Sequence, residues 1–146
     1  MNTKKSTRFL SVVFLSFMLV SLLVTTGCKK QIKAEDLWQN AIYTEDKSFG
    51  EGEKTVFVEV KADDKSVTFT VKTDKKNLAD ALLEHSLVEG DNTEYGLYIK
   101  KVNGITADYD NDKAYWGLFK NGSMLMTGAS DTEIANGDKY DLIYSK

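Results

Sequence analysis

TVFVEVKADDKSVTFTVKT, residues 55–73, decides the fold class. Val56, Val58 and Val60 alternate with Phe57 and Glu59, and Val67, Phe69 and Val71 alternate with Thr68, Thr70 and Lys72. Period-two alternation of β-branched residues marks strands with one buried face. Ala62-Asp63-Asp64-Lys65 between them is turn chemistry, so the stretch predicts a β-hairpin. Downstream, Asn77–Leu87 reads as a helix. Leu78, Leu82 and His85 share one face with Ala81 beside them. Asn77 is placed to cap, Asp80 follows as the reciprocal acid, and Gly90 marks the stop.

Beyond the helix the pattern is β again. Tyr95–Val102 runs into Asn103-Gly104, Ala114–Lys120 runs into Asn121-Gly122, and Tyr140–Tyr144 follows Asn136-Gly137. Asn-Gly suits the type I′ hairpin turn, whose two central positions both need positive φ. Three such pairs therefore predict a sheet with tight turns. Hairpin, helix, then short strands is an α+β order of the β-grasp type, with one helix packed on a small mixed sheet. Asp36–Phe49, with Leu37, Trp38, Ile42 and Tyr43, adds a leading turn or edge segment whose state the pattern leaves open.

The N-terminal segment reads as an address. Residues 1–27 contain Lys4, Lys5 and Arg8 and no acid, and Phe9–Val24 holds only Phe, Leu, Val, Met and Ser. A basic start followed by a short apolar run matches a secretory signal and is short for a membrane-spanning helix. Val24-Thr25-Thr26-Gly27-Cys28 resembles the bacterial lipobox, with Thr25 where that pattern usually has Leu. Cys28 is the one cysteine among 146 residues. The expected organisation is a lipoprotein signal peptide over 1–27, a lipidated Cys28 with tether and leading segment over 28–54, and one globular domain over 55–146. Two or more acyl chains hold a protein stably at a membrane, here on the extracytoplasmic side.

Composition narrows the chemistry. One cysteine and one histidine exclude a disulfide framework, Cys-rich metal sites and multi-histidine sites. The chain has 19 basic and 22 acidic side chains in all; without the first 27 residues the net charge is −6, so the basic footprint of a nucleic-acid binder is missing. Asp108-Tyr109-Asp110-Asn111-Asp112 resembles the start of a calcium loop. An EF-hand would need Gly at the position of Lys113 and Glu at that of Phe119, so a solvated acidic turn is the expectation. His85 could serve as a general base, but no nucleophile signature accompanies it, and a packing role is expected. Spacing shows no catalytic carboxylate dyad.

The aromatics are more informative. Tyr95, Tyr98, Tyr109, Tyr115, Trp116, Phe119, Tyr140 and Tyr144 crowd the C-terminal part, with Met124 and Met126 among them. In strand 114–120, Tyr115 and Phe119 face one way and Trp116 and Leu118 the other. One set faces the helix. The other is either solvated or a platform for a flat ligand or protein partner; a filled core accounts for the same residues equally well.

Tyr115-Trp116, Asn121-Gly122, Gly128 and Gly137-Asp138, with Tyr95-Gly96-Leu97-Tyr98-Ile99 and Val102-Asn103-Gly104-Ile105 upstream, resemble the transcobalamin-like C-terminal domain family over Thr55–Ser145. In the vitamin carriers transcobalamin and intrinsic factor, this small domain closes over cobalamin held by a large helical domain. The resemblance implies ligand contacts at Gly96, Leu97, Tyr98, Trp116, Gly117, Leu118, Phe119 and Met124. The large helical domain has no counterpart here, so any corrinoid would be less enclosed. The expectation is a non-enzymatic extracytoplasmic lipoprotein that captures a small molecule, with cobalamin or another corrinoid the first candidate ligand. It would have no resident cofactor or metal, and a membrane transporter would be its partner. The alternative is a surface protein-protein interaction or adhesion module without a small ligand. A third reading, an enzyme, would need two acids converging in a cleft.

Overall fold

A computed structural model of the chain describes residues 36–146. Residues 1–35, and with them the signal segment and Cys28, lie outside the described residues.

The hairpin forms where alternation places it. β1 (Lys47–Phe49) comes first, and β2 (Lys54–Ala62) pairs antiparallel with β3 (Lys65–Thr73). Val56 faces Val71, Val58 faces Phe69 and Val60 faces Val67, all on the buried side. Full burial of each such side chain contributes about 1.5–3 kcal/mol.

α1 (Leu78–Leu83) follows, with Asn77 as its cap. The Asp80 amide donates to Asn77 Oδ1 at 2.8 Å, and Asn77 Nδ2 donates back to Asp80 Oδ2 at 2.9 Å. The helix is shorter than the expected Asn77–Leu87. It ends because Ser86 enters the left-handed region at φ 54°, after which the Leu87 amide donates to the Leu82 carbonyl. Gly90 is not the stop. It lies inside a strand with no sequence signal, β4 (Val88–Thr93), at a register shift after Glu89. A Cβ there would sit 1.9 Å from the Tyr98 carbonyl oxygen, so glycine is required by close approach of two backbones.

β5 (Gly96–Val102) and β6 (Ile105–Thr106) complete a three-stranded antiparallel sheet with β4. A helical turn, α2 (Tyr109–Asp112), leads to β7 (Tyr115–Lys120), β8 (Ser123–Met124) and β9 (Lys139–Ser145). The larger sheet has six strands in the order β1-β3-β2-β9-β7-β8, with β1 parallel to β3 and β9 parallel to β2. The architecture is α+β, with two sheets where one was expected.

Two Asn-Gly pairs close hairpins. Asn103 and Gly104 have φ of 51° and 82°, and Asn121 and Gly122 have 52° and 77°. The third pair does not. Only Gly137 has positive φ, and the Asp138 amide donates to the Ala135 carbonyl, the pattern of a type II turn. That turn feeds a parallel strand, and Asn136 Oδ1 accepts from the Thr55 amide of β2 at 2.8 Å.

The leading segment folds onto the domain. Leu37–Asn40 is a 3-10 turn capped by Asp36, and Trp38 is buried with Nε1 donating to the Ala62 carbonyl at 2.8 Å. Asn103, itself buried, accepts from the Tyr43 amide at 2.9 Å and donates to the Tyr43 carbonyl at 2.7 Å. Tyr43, Phe49 and Phe69 form an edge-to-face trio with ring centres 5.3–5.8 Å apart. One core cluster draws on both sheets, α1 and this turn.

A second polar anchor lies at the start of β9. Asp138 accepts from Lys120 Nζ at 2.8 Å, the Tyr140 hydroxyl at 2.9 Å and the Ala135 amide at 2.9 Å. Burial opposes ionisation of Asp138, but the Lys120 ammonium and the amide and hydroxyl donors outweigh it and hold the carboxyl below its usual range. A depressed folded-state pKa stabilises the fold above the unfolded carboxyl pKa, and that stability is lost as pH falls through the folded value. Asp138→Asn is therefore expected to cost about 1–3 kcal/mol at neutral pH. In urea titrations its gap from the wild type should narrow as pH drops below the carboxylate range; a gap independent of pH would contradict this account.

Candidate functional site

β7 is paired along its whole length by β9, but β8 covers only Phe119 and Lys120 on the other side. The Leu125 amide adds one bond to the Leu118 carbonyl at 2.8 Å. Alternate residues of a strand point their backbone groups the same way, so the N–H and C=O of Trp116 face this open edge. Alongside runs β5. Between β5, the open edge of β7 and the chain after β8 lies a groove of about 420 Å³.

The groove brings Leu97, Tyr98, Trp116, Gly117, Leu118 and Met124 together. These are six of the residues that the resemblance implies. Gly96 instead lines an adjoining hollow of about 640 Å³ at the tip of the β4–β5 hairpin, with Tyr95 and Gly128. Phe119 is not at the groove; its ring lies over Gly117, where a Cβ would approach it to 2.9 Å. Tyr98 is 44% exposed and Met126, another groove residue, is 95% exposed. Trp116 is only 8% exposed, with Nε1 donating to the Ile105 carbonyl at 3.3 Å. Trp116 and Leu118 are the core-facing pair of β7, while Tyr115 is exposed and Phe119 half-buried.

The groove's remaining wall, Leu125–Ala129, escaped the sequence reading except for Met126 and Gly128. Ala129 is buried, and its carbonyl accepts from the Ala79 amide of α1 at 3.0 Å. The neighbouring Thr132 carbonyl accepts from Leu78 at 2.9 Å, so this loop caps the helix. Irregular chain held by helix-capping bonds has no periodicity to read.

A third hollow, about 360 Å³, shares Tyr98 with the other two and is bordered by Asp91, Asp108 and Asp110. Asp91 pairs with Lys100. Asp108 caps α2, accepting from the amides of Asp110 and Asn111 at 3.0 Å and from Asn111 Nδ2 at 2.6 Å. The Asn111 amide and side chain hold the Asp108 carboxyl below its usual range. A carboxyl so held is ionised at neutral pH and is no general acid. Among the described residues no three metal-ligating side chains cluster. His85 stacks on Phe49 with ring centres 5.7 Å apart, away from the groove lining, and its Nε2 is buried without a hydrogen-bond partner.

An open apolar trough edged by backbone donors and acceptors suits a binder of a flat molecule or an extended segment. Residues 76–146 match the model of a domain family described as a domain of unknown function, DUF4430. A crystal structure of a candidate metal-binding protein from Ruminococcus gnavus ATCC 29149 is 35% identical, with a TM-score of 0.61, over 64% of this chain and 98% of that one. Haptocorrin in complex with Cbi is 21% identical, with a TM-score of 0.53, over 67% of this chain but 26% of haptocorrin, a likeness of fold alone. No curated protein matches. The chain thus has a transcobalamin-like fold, and it belongs to one family with the Ruminococcus gnavus protein.

Proposed function

We propose that this chain is a membrane-anchored extracytoplasmic lipoprotein, lipidated at Cys28, that captures a small molecule with a flat face in the groove between β5 and β7. It acts as a binder, without catalysis or a resident cofactor, and hands its ligand to a membrane transporter. A corrinoid, cobalamin or its precursor cobinamide, is the ligand to try first. The observation that carries this reading is the convergence of Leu97, Tyr98, Trp116, Leu118 and Met124 on one groove. Haptocorrin, a protein of the same fold, is known in complex with Cbi. The groove is open, so a ligand held by this chain alone would keep much of its surface in water and bind less tightly than one enclosed.

The test is a titration of the full chain in detergent with cobalamin and cobinamide, followed by tryptophan quenching and calorimetry. Saturable binding at micromolar concentration or below is expected. Tyr98→Ala should weaken it about tenfold or more while leaving the melting temperature nearly unchanged, since Tyr98 is exposed and stands outside the core cluster. Silence for both ligands up to near-millimolar concentration would remove the corrinoid reading.

One observation favours a second reading. The free N–H and C=O of Trp116 would let an extended peptide add to the six-stranded sheet, as in strand-addition complexes, and the chain would then be a surface interaction or adhesion module. A captured partner that competes at this edge, with no small ligand bound, would be its signature.

A further inference from the structure

We propose that Ser130 and Gly96 form a clasp that fixes the separation of the two groove walls and so sets the size of ligand admitted. The proposal rests on the groove being a binding site, and it gives Gly96 a positioning role in place of a contact.

Ser130 follows the loop wall directly, and its Oγ accepts from the Leu97 amide of β5 at 3.0 Å. Among the described hydrogen bonds this is the one joining the β4–β5 hairpin tip to that loop. A Cβ at Gly96 would fall 2.7 Å from Ser130 Cβ and 2.8 Å from its Oγ, and Gly96 has φ 93°. The two segments therefore touch at the one point of the tip that has no side chain. Gly128, opposite Tyr95, is different: a Cβ there would lie 3.7 Å from the nearest atom, an ordinary contact.

The two sides of the clasp are not equally held. The loop is tied to α1 by the Ala129 and Thr132 carbonyls and to β7 through Leu125, and Thr132 Oγ1 donates to the Gly128 carbonyl at 2.9 Å. The hairpin tip lies beyond the reach of β6, which pairs only with Lys101 and Val102. It carries Leu97 and Tyr98, one wall of the groove. The position of that wall against Trp116 and Met124 thus depends on the Ser130 bond and on the contact at Gly96.

The test uses the full chain in detergent with Ser130→Ala and Gly96→Ala. Three quantities are read: hydrogen exchange at the Leu97 amide, melting temperature, and calorimetric affinity for two probes of different size, cobalamin and the smaller cobinamide. In Ser130→Ala, Leu97 exchange should quicken about tenfold or more and the ratio of the two probe affinities should shift by a similar factor, as for one lost hydrogen bond. The melting temperature should fall by no more than about a few degrees, as for one lost hydrogen bond at a half-buried serine. Gly96→Ala should change the ratio in the same sense. Unchanged Leu97 exchange in Ser130→Ala overturns the clasp, as does faster exchange with an unaltered probe ratio. If the wild type binds neither probe, the corrinoid reading fails on its own. The clasp is then judged by exchange alone, retained if Leu97 quickens and lost if it does not.

Discussion

Trp116→Ala is expected to destabilise the domain by about 3–5 kcal/mol, the range for deleting a large buried aromatic. Trp116 belongs to the core cluster, donates Nε1 to the Ile105 carbonyl, and meets Tyr144 edge-on with ring centres 5.6 Å apart. Alanine removes the ring and leaves that carbonyl without its indole donor. Domains of this size are stable by about 5–15 kcal/mol, so a large part of the margin would go. Urea titration followed by circular dichroism reads it, as a fall in midpoint with little change in slope. A loss under about 1 kcal/mol would mean that the indole is not a core element. The consequence for the site is practical. Any binding lost in Trp116→Ala is mixed with unfolding, whereas Tyr98→Ala separates the two.

Phe69→Ala is expected to cost a similar amount, about 3–5 kcal/mol, but with a different spatial signature. Phe69 is fully buried in β3 and meets both Tyr43 and Phe49 edge-on. Its ring fastens the leading segment and β1 to the hairpin. Hydrogen exchange in the variant should show residues 37–49 opening well below the global unfolding free energy, while β2 and β9 keep their protection. A Phe49→Ala and Phe69→Ala double-mutant cycle should return a coupling of about 0.5–1.5 kcal/mol. Additive effects would show that the rings merely fill adjacent space.

These cases also mark what the sequence made legible. The β2–β3 hairpin was readable because alternation is local and both strands carry it. The cap of α1 was readable from Asn77 and Asp80, but its end was not. Gly90 is the visible breaker, while the turn is made by Ser86, whose left-handed backbone no propensity announces. Two Asn-Gly pairs did what the dipeptide favours; the third was redirected because its neighbour is a parallel strand. The leading segment was opaque since its partners, Asn103 and Phe69, lie far along the chain. At the groove, Leu97 came from the family resemblance alone, while Tyr98 and Met124 also stood out in the aromatic pattern. Ser130 carried no signal, because a single hydroxyl in irregular chain acquires meaning only through what it touches.

β9 occupies the middle of the six-stranded sheet, between β2 and β7, although it is the last described strand in sequence order. Its pairing with β2 joins Phe57 to Lys139 and Lys61 to Ile143, contacts of large sequence separation. β9 must therefore be made before the sheet can close. Until then β2 and β7 each keep a bare edge in the centre of the future sheet, open to pairing with other chains. High contact order predicts folding on the millisecond-to-second scale and a premium on chaperoning during that interval. Shortening the chain by the length of β9 would leave two half-sheets with no seam between them.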